Sequence, residues 1–114
     1  MRKQHYYIYV PKTIEAMYEQ EYGKWSPEDL YLWELTENEF DILWHEGIFE
    51  LLNKQFKMMI DEFEEEQIFY QPLYFCKKEL LDKLKQYKCS AEINKLQQMI
   101  EYAIDARTLI CFVL

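Results

Sequence analysis

A chain of 114 residues that is 50% hydrophobic and 18% aromatic, with only 2 Gly and 3 Pro, has the size of one domain and enough apolar material for a core, which excludes a disordered or low-complexity chain. The net charge of −8 is unevenly spread: residues 1–27 hold four bases and three acids, residues 28–66 two bases and thirteen acids, and residues 67–114 seven bases and five acids. A central third that negative repels phosphate backbones and attracts basic partners, so direct nucleic-acid binding is disfavoured there.

Arg2 and Lys3 precede only a short, aromatic apolar stretch, YYIYV, which is unlike the apolar region of a signal peptide, and no run approaches membrane-spanning length. The expectation is a cytoplasmic protein with no membrane contact. The first predicted element is a strand, HYYIYV at residues 5–10, rich in aromatic and β-branched residues and stopped by Pro11. Ile14, Met17 and Tyr18 then recur at helical spacing, predicting a short helix between Lys12 and Tyr22 that turns at Gly23. SPEDLYLWEL at residues 26–35 opens like a helix, with Ser-Pro-Glu-Asp, and continues like a half-buried strand; a two-stranded sheet alone is marginal, which favours a third strand here.

Thr36-Glu37-Asn38-Glu39 matches a capping box, and apolar residues follow at 40, 43, 44, 48, 51, 52, 56, 59, 60 and 63. That period predicts a long helix from about Glu37 to Glu66, with Met59, Ile60 and Phe63 inward and a bend or break near His45 to Gly47. Gln71 precedes Pro72 and is therefore pushed out of helical geometry, so the chain is expected to turn at QPLYF before a helix over residues 77–88 with Leu80, Leu81 and Leu84 inward. A further helix opens at Ser90 with Ile93, Leu96 and Ile100 on its apolar face, and TLICFVL at residues 108–114 reads as a buried strand that pairs with the first. The predicted fold is α+β: a small antiparallel sheet including the N- and C-terminal strands, packed against a long central helix and two or more shorter helices, in a single domain over residues 1–114.

The five acids Asp61, Glu62, Glu64, Glu65 and Glu66 are the most concentrated charge. On a continued helix, 61, 64 and 65 share one face and 62 and 66 another, forming a collar around Phe63. A divalent-metal loop needs alternating oxygen ligands and a glycine at its sharp turn, which this segment lacks. A plain solvated helix face and an acidic recognition surface both remain. Acids at a helix C-terminus oppose the macrodipole and one another by some tenths of a kcal/mol each, and a surface that tolerates this has a use for it in attracting a cation. Glu46 and Glu50 extend the same negative stripe, whereas Glu37, Glu39 and Asp41 are favourable first-turn charges.

No catalytic constellation is visible. His45 and His5 form no metal spacing, HEGIF lacks the second His of a metalloprotease helix, and two isolated glycines cannot build a phosphate loop. Cys76, Cys89 and Cys111 are odd in number and widely spaced, which suggests reduced thiols; Cys111 reads as an inert core thiol, and Cys89 as one whose pKa a following helix N-terminus could lower. The aromatics, among them Trp25, Trp33, Trp44 and the string Phe69, Tyr70, Tyr74, Phe75, exceed what a core this small must enclose, and Tyr and Trp are enriched at interfaces. In size and charge the chain resembles the small acidic immunity proteins that bacteria make against toxins, a resemblance that carries no individual residues. It implies a non-catalytic protein, without cofactor or metal, that neutralises a basic toxin such as a nuclease. The expected partner-binding residues are Glu46, Glu50, Asp61, Glu62, Glu64, Glu65 and Glu66 for charge, with Tyr70 and Tyr74 as anchors. The alternative is a structural or regulatory module that self-associates through a helix or a sheet edge.

Overall fold

A computed structural model of the chain describes residues 5–24, 26–61 and 64–114. Trp25, Glu62 and Phe63, for which the sequence suggests an interface aromatic, a surface acid and an inward-facing ring, lie outside the described residues. The predicted α+β architecture is present, with nine regular elements and one 3-10 turn among the described residues. Strand β1 (Tyr6–Pro11) leads to helix α1 (Ile14–Glu21), whose N-cap Thr13 accepts from the Ala16 N–H, and Gly23 takes φ +73 in the turn beyond. The conflict within SPEDLYLWEL resolves in sequence: Pro27–Asp29 form the 3-10 turn capped by Ser26, and Leu30–Leu35 form strand β2.

Thr36 and Glu39 close a reciprocal capping box at the head of helix α2 (Glu37–His45). The chain breaks at Gly47, which adopts φ +84, and resumes as helix α3 (Ile48–Phe56). Here the prediction of one helix to Glu66 fails. Helix α3 stops at Phe56, Lys57 takes the left-handed φ of 54, and residues 65–69 form a strand, β3 (Glu65–Phe69). The side chain of Asn53 explains the stop: its Oδ1 accepts from the Ile60 N–H at 2.6 Å and its Nδ2 donates to the Ile60 carbonyl at 3.1 Å. Asn53 thus holds the following segment as a neighbouring strand would, and it seats Ile60 in the core while Met59 points to solvent, 76% exposed.

Helix α4 (Tyr70–Leu84) follows β3 without a loop and begins seven residues before the expected Lys77. Pro72 does not exclude Gln71 from the helix, because it lies in the first turn, where its missing N–H has no intrahelical partner to lose. The extended residue is instead Phe69, the N-cap. Helix α5 (Ser90–Ala106) then leads through Arg107, at φ 57, into strand β4 (Leu109–Val113).

The four strands are antiparallel in the order β2-β1-β4-β3, so the two chain ends are central neighbours, with Ile8 opposite Phe112. One face of the sheet carries the main core. Tyr6, Ile8, Val10, Trp33, Leu35, Ile110 and Phe112 meet Leu43, Phe49, Leu52, Leu73, Leu80, Leu96 and Ile100 from the helices. Tyr6 stacks on Phe40 at 4.1 Å between centroids, and Phe49 meets Phe112 edge-on at 6.3 Å. The second face is only partly covered, by α1, whose Met17 packs on a smaller cluster of Tyr9, Leu30, Leu109 and Cys111. Thr108, the one buried polar residue among those described, donates its hydroxyl to the Pro11 carbonyl at 2.8 Å and ties β4 to the end of β1. Among the described residues no helix is long and apolar enough to cross a membrane.

Candidate functional site

Strand β3 ends the sheet, pairing with β4 on one side only. Its exposed acids are therefore not arranged as a helical collar, and the cost expected from the macrodipole does not arise, since the nearest helix end before them is Phe56. Side chains alternate across a strand. Glu66 and Ile68 face the main core side, with Ile68 buried and Glu66 half-buried, while Glu65, Gln67 and Phe69 face the side that α1 partly covers. Together with Glu64 they place three consecutive carboxylates on both faces of an outer strand. None of the three makes an ion pair with a described residue.

The pairing register shows which backbone groups this edge leaves open. The Leu114 N–H donates to the Glu64 carbonyl at 3.1 Å, and the Tyr70 N–H to the Thr108 carbonyl at 3.0 Å. Hydrogen-bonded pairs recur at every second residue of an antiparallel ladder, so Glu66 bonds Phe112 and Ile68 bonds Ile110. The intervening Glu65, Gln67 and Phe69 direct their N–H groups away from β4, as do the carbonyls of Glu65 and Gln67. Beside this edge runs a groove of about 370 Å³ lined by Gln55, Phe56, Lys57 and Met58 on one side and by Gln67, Ile68, Phe69 and Pro72 on the other.

Aromatic surface lies immediately after the acids. Phe69 is 47% exposed, Tyr74 63% and Phe75 85%, and Tyr74 meets Phe75 edge-on at 5.9 Å between centroids. The expected anchors Tyr70 and Tyr74 thus differ: Tyr70 is half-buried at the first turn of α4 and Tyr74 is open. The more exposed Phe75 belongs to the aromatic string noted in the sequence but not to the expected partner-binding set. Its signal is periodic, because Leu73, Leu80 and Leu84 mark the buried side of α4 once that helix is taken to begin at Tyr70.

The remaining predicted acids are placed elsewhere. Glu46 caps α2 and lines a separate groove with Asp41, His45, Lys88, Cys89 and Glu92. Glu50 on α3 pairs with Lys54 one turn on, at 3.2 Å. Asp61 is exposed in the segment between α3 and β3, and Glu62 lies outside the described residues. The negative charge is therefore not one helical stripe. It is spread over the 3-10 turn, β2, the α2–α3 pair, where Glu39 and Glu50 pair with Lys95 and Lys54, and the β3 edge.

The thiols offer no activated nucleophile. Burial pushes Cys111 up to about 12, helped by the neighbouring Glu65 carboxylate, whose Oε1 accepts from Sγ at 3.7 Å. Cys89 is itself the N-cap of α5 and its pKa is raised by burial, not lowered by the helix. Burial raises Cys76 as well, and its Sγ donates to the Pro72 carbonyl at 3.1 Å. No group of three or more His, Cys, Asp or Glu side chains that could hold a metal ion occurs among the described residues. The chain matches no protein-family model, no curated protein and no solved structure, so its own residues carry what can be inferred of its function.

Proposed function

We propose that this protein is a non-catalytic binding protein for a cationic protein partner, acting in the manner of an immunity protein that blocks a basic toxin such as a nuclease. One observation carries the proposal: Glu64, Glu65 and Glu66 stand without ion-pair partners among the described residues on an outer strand that runs directly into exposed Phe69, Tyr74 and Phe75. Carboxylates with no ion-pair partner among the described residues are available to lysines and arginines of another molecule, and adjacent exposed aromatics supply the apolar area that interface centres use. Glu50 leaves the proposed surface because Lys54 already satisfies it, and Glu46 leaves it because it lines a different groove.

The test uses the product of the neighbouring reading frame, where the toxin of an immunity protein is normally encoded. Binding is followed by surface plasmon resonance across a salt series. The expected on-rate falls by roughly ten- to a thousandfold from low to high salt, and the triple variant E64K/E65K/E66K flattens that dependence and weakens binding. An unchanged affinity in the triple variant would remove this surface from the function. Weakened binding in F75A with the salt slope intact is the result expected of an aromatic anchor beside the charged edge.

A further inference from the structure

The charge and aromatic content of the β3 surface do not by themselves say how a partner would seat there; the backbone does. An outer strand with a row of unpaired N–H and C=O groups is a template for one more strand, and proteins usually close such edges with proline, a bulge or a covering element. Strand β3 has no proline within Glu65–Phe69. Its outward groups, the N–H and C=O of Glu65 and Gln67 and the N–H of Phe69, bond no described residue. The Phe69 carbonyl is excluded because an N-cap carbonyl accepts the first bond of its helix, here α4.

Resting on the binding function proposed above, we infer that the partner contributes an extended segment that adds to β3 as a fifth strand, with side chains alternating between cationic and apolar. The two faces of the edge dictate that alternation. On the α1 side an added strand meets Glu65, Gln67 and the exposed Phe69, with Glu21 of α1 lining the same hollow. Lysine or arginine suits that side. On the other side it meets the half-buried Glu66 and the edge of Ile68 beside the groove of Gln55, Phe56, Lys57 and Met58, whose apolar walls suit valine, isoleucine or threonine.

A second copy of the chain does not fit this edge, since EEQIF has no base to offer and each molecule carries −8. The opposite sheet edge, β2, is a weaker candidate because its exposed carboxylate, Glu34, is already engaged by His5 at 3.1 Å. A basic strand at β3 therefore satisfies backbone, charge and apolar groove together.

The probe is an acetylated, amidated octapeptide alternating lysine and valine, with octalysine as the control of greater charge and no strand pattern. Amide exchange by NMR should show the Glu65, Gln67 and Phe69 protons gaining at least tenfold protection with the alternating peptide. The Glu66 and Ile68 protons, already in the β4 ladder, should change little, and octalysine should protect none of the five. A second measurement uses Q67P, which removes one outward N–H and no bond to β4. It should keep the thermal midpoint within a few degrees while losing at least tenfold in affinity for the alternating peptide. Equal protection by octalysine, or a folded Q67P that binds like the wild type, overturns strand addition. Should E65K also leave peptide affinity unchanged, the acidic surface falls with it; should E65K weaken binding while Q67P does not, the surface stands and only the strand geometry is lost.

Discussion

Glu39 shows how one carboxylate can be used by the fold itself. Its Oε1 accepts from the Thr36 N–H at 2.9 Å in the capping box, and its Oε2 accepts from Lys95 on α5 at 2.8 Å. Lys95 also stands 5.4 Å from the centroid of the Trp33 ring on β2, so three elements meet at this acid. The buried indole N–H of Trp33 lies close enough to favour the carboxylate but makes no hydrogen bond of normal geometry. Burial pushes the Glu39 carboxyl up, yet the Lys95 hydrogen bond, the Thr36 N–H and the Lys95 charge together outweigh it and hold the group below the usual carboxylate range. A folded-state pKa below that of the unfolded chain, about 4.3, stabilises the protein above that pH and loses its effect as pH falls through the folded value. Substituting Glu39→Gln keeps one acceptor for the capping box and removes the charge together with the second acceptor, the one that Lys95 uses. The variant should be less stable at pH 7 by about 0.5–1 kcal/mol, and the gap to wild type should narrow as the pH falls through the lowered folded-state value. Thermal melts over a series from pH 7 downward check this; a gap that stays constant as the pH falls would mean that the charge of Glu39 is not what stabilises the fold.

At the scale of elements, Gly47 separates two accounts of the same sequence. In a continuous helix a glycine costs on the order of 1 kcal/mol against alanine, so Gly47→Ala would stabilise. In the structure Gly47 sits between α2 and α3 at φ +84, and a Cβ there would touch nothing within 4 Å. The only cost of alanine is then the left-handed backbone, about 1 kcal/mol in the opposite direction, which lowers the thermal midpoint of a domain this size by roughly 4 °C. The sign of the change in a calorimetric melt decides between them. The same contrast shows what was legible in the sequence. Caps, turns and the terminal strands could be read because their signals are local: Thr13, Ser26, the Thr36–Glu39 box and the apolar run of β4. Strand β3 could not, because apolar residues at 56, 59, 60 and 63 continue a helical period while the reason for a strand lies far along the chain. Residues Leu109 to Phe112 are at most 3% exposed, and their second row of backbone groups needs a partner that only β3 provides. The candidate site inherits that error: the acids were found, but their arrangement on an outer strand follows from contacts that no local pattern encodes, and the exposure of Phe75 can be read only once α4 is taken to begin at Tyr70.

For the whole molecule, the decisive length is the reach of its charge. The domain measures 38 × 36 × 24 Å. At an ionic strength near 0.01 M the Debye length is about 30 Å, so nearly all of the net charge of −8 is felt by an approaching molecule; near 0.15 M it is about 8 Å, and only charges at the point of contact count. Two consequences have opposite signs. Encounter with a cationic partner is fast at low salt and slows as the field is screened, whereas two copies of this chain repel at low salt and approach more readily as salt rises. The alternative suggested by the sequence is self-association through a helix or a sheet edge; at the β3 edge it should therefore be absent at low salt. Sedimentation velocity at about 0.02 M salt should give a monomer even at high protein concentration. In about 0.5 M salt any dimer should grow in E64Q/E65Q/E66Q beyond its level in the wild type, because neutral side chains remove the repulsion that keeps two such edges apart. A wild-type dimer at low salt would instead mean that the apolar surface of Phe69, Tyr74 and Phe75 outweighs the charge. The exposed aromatics would then belong to a homodimer interface and not to a basic partner.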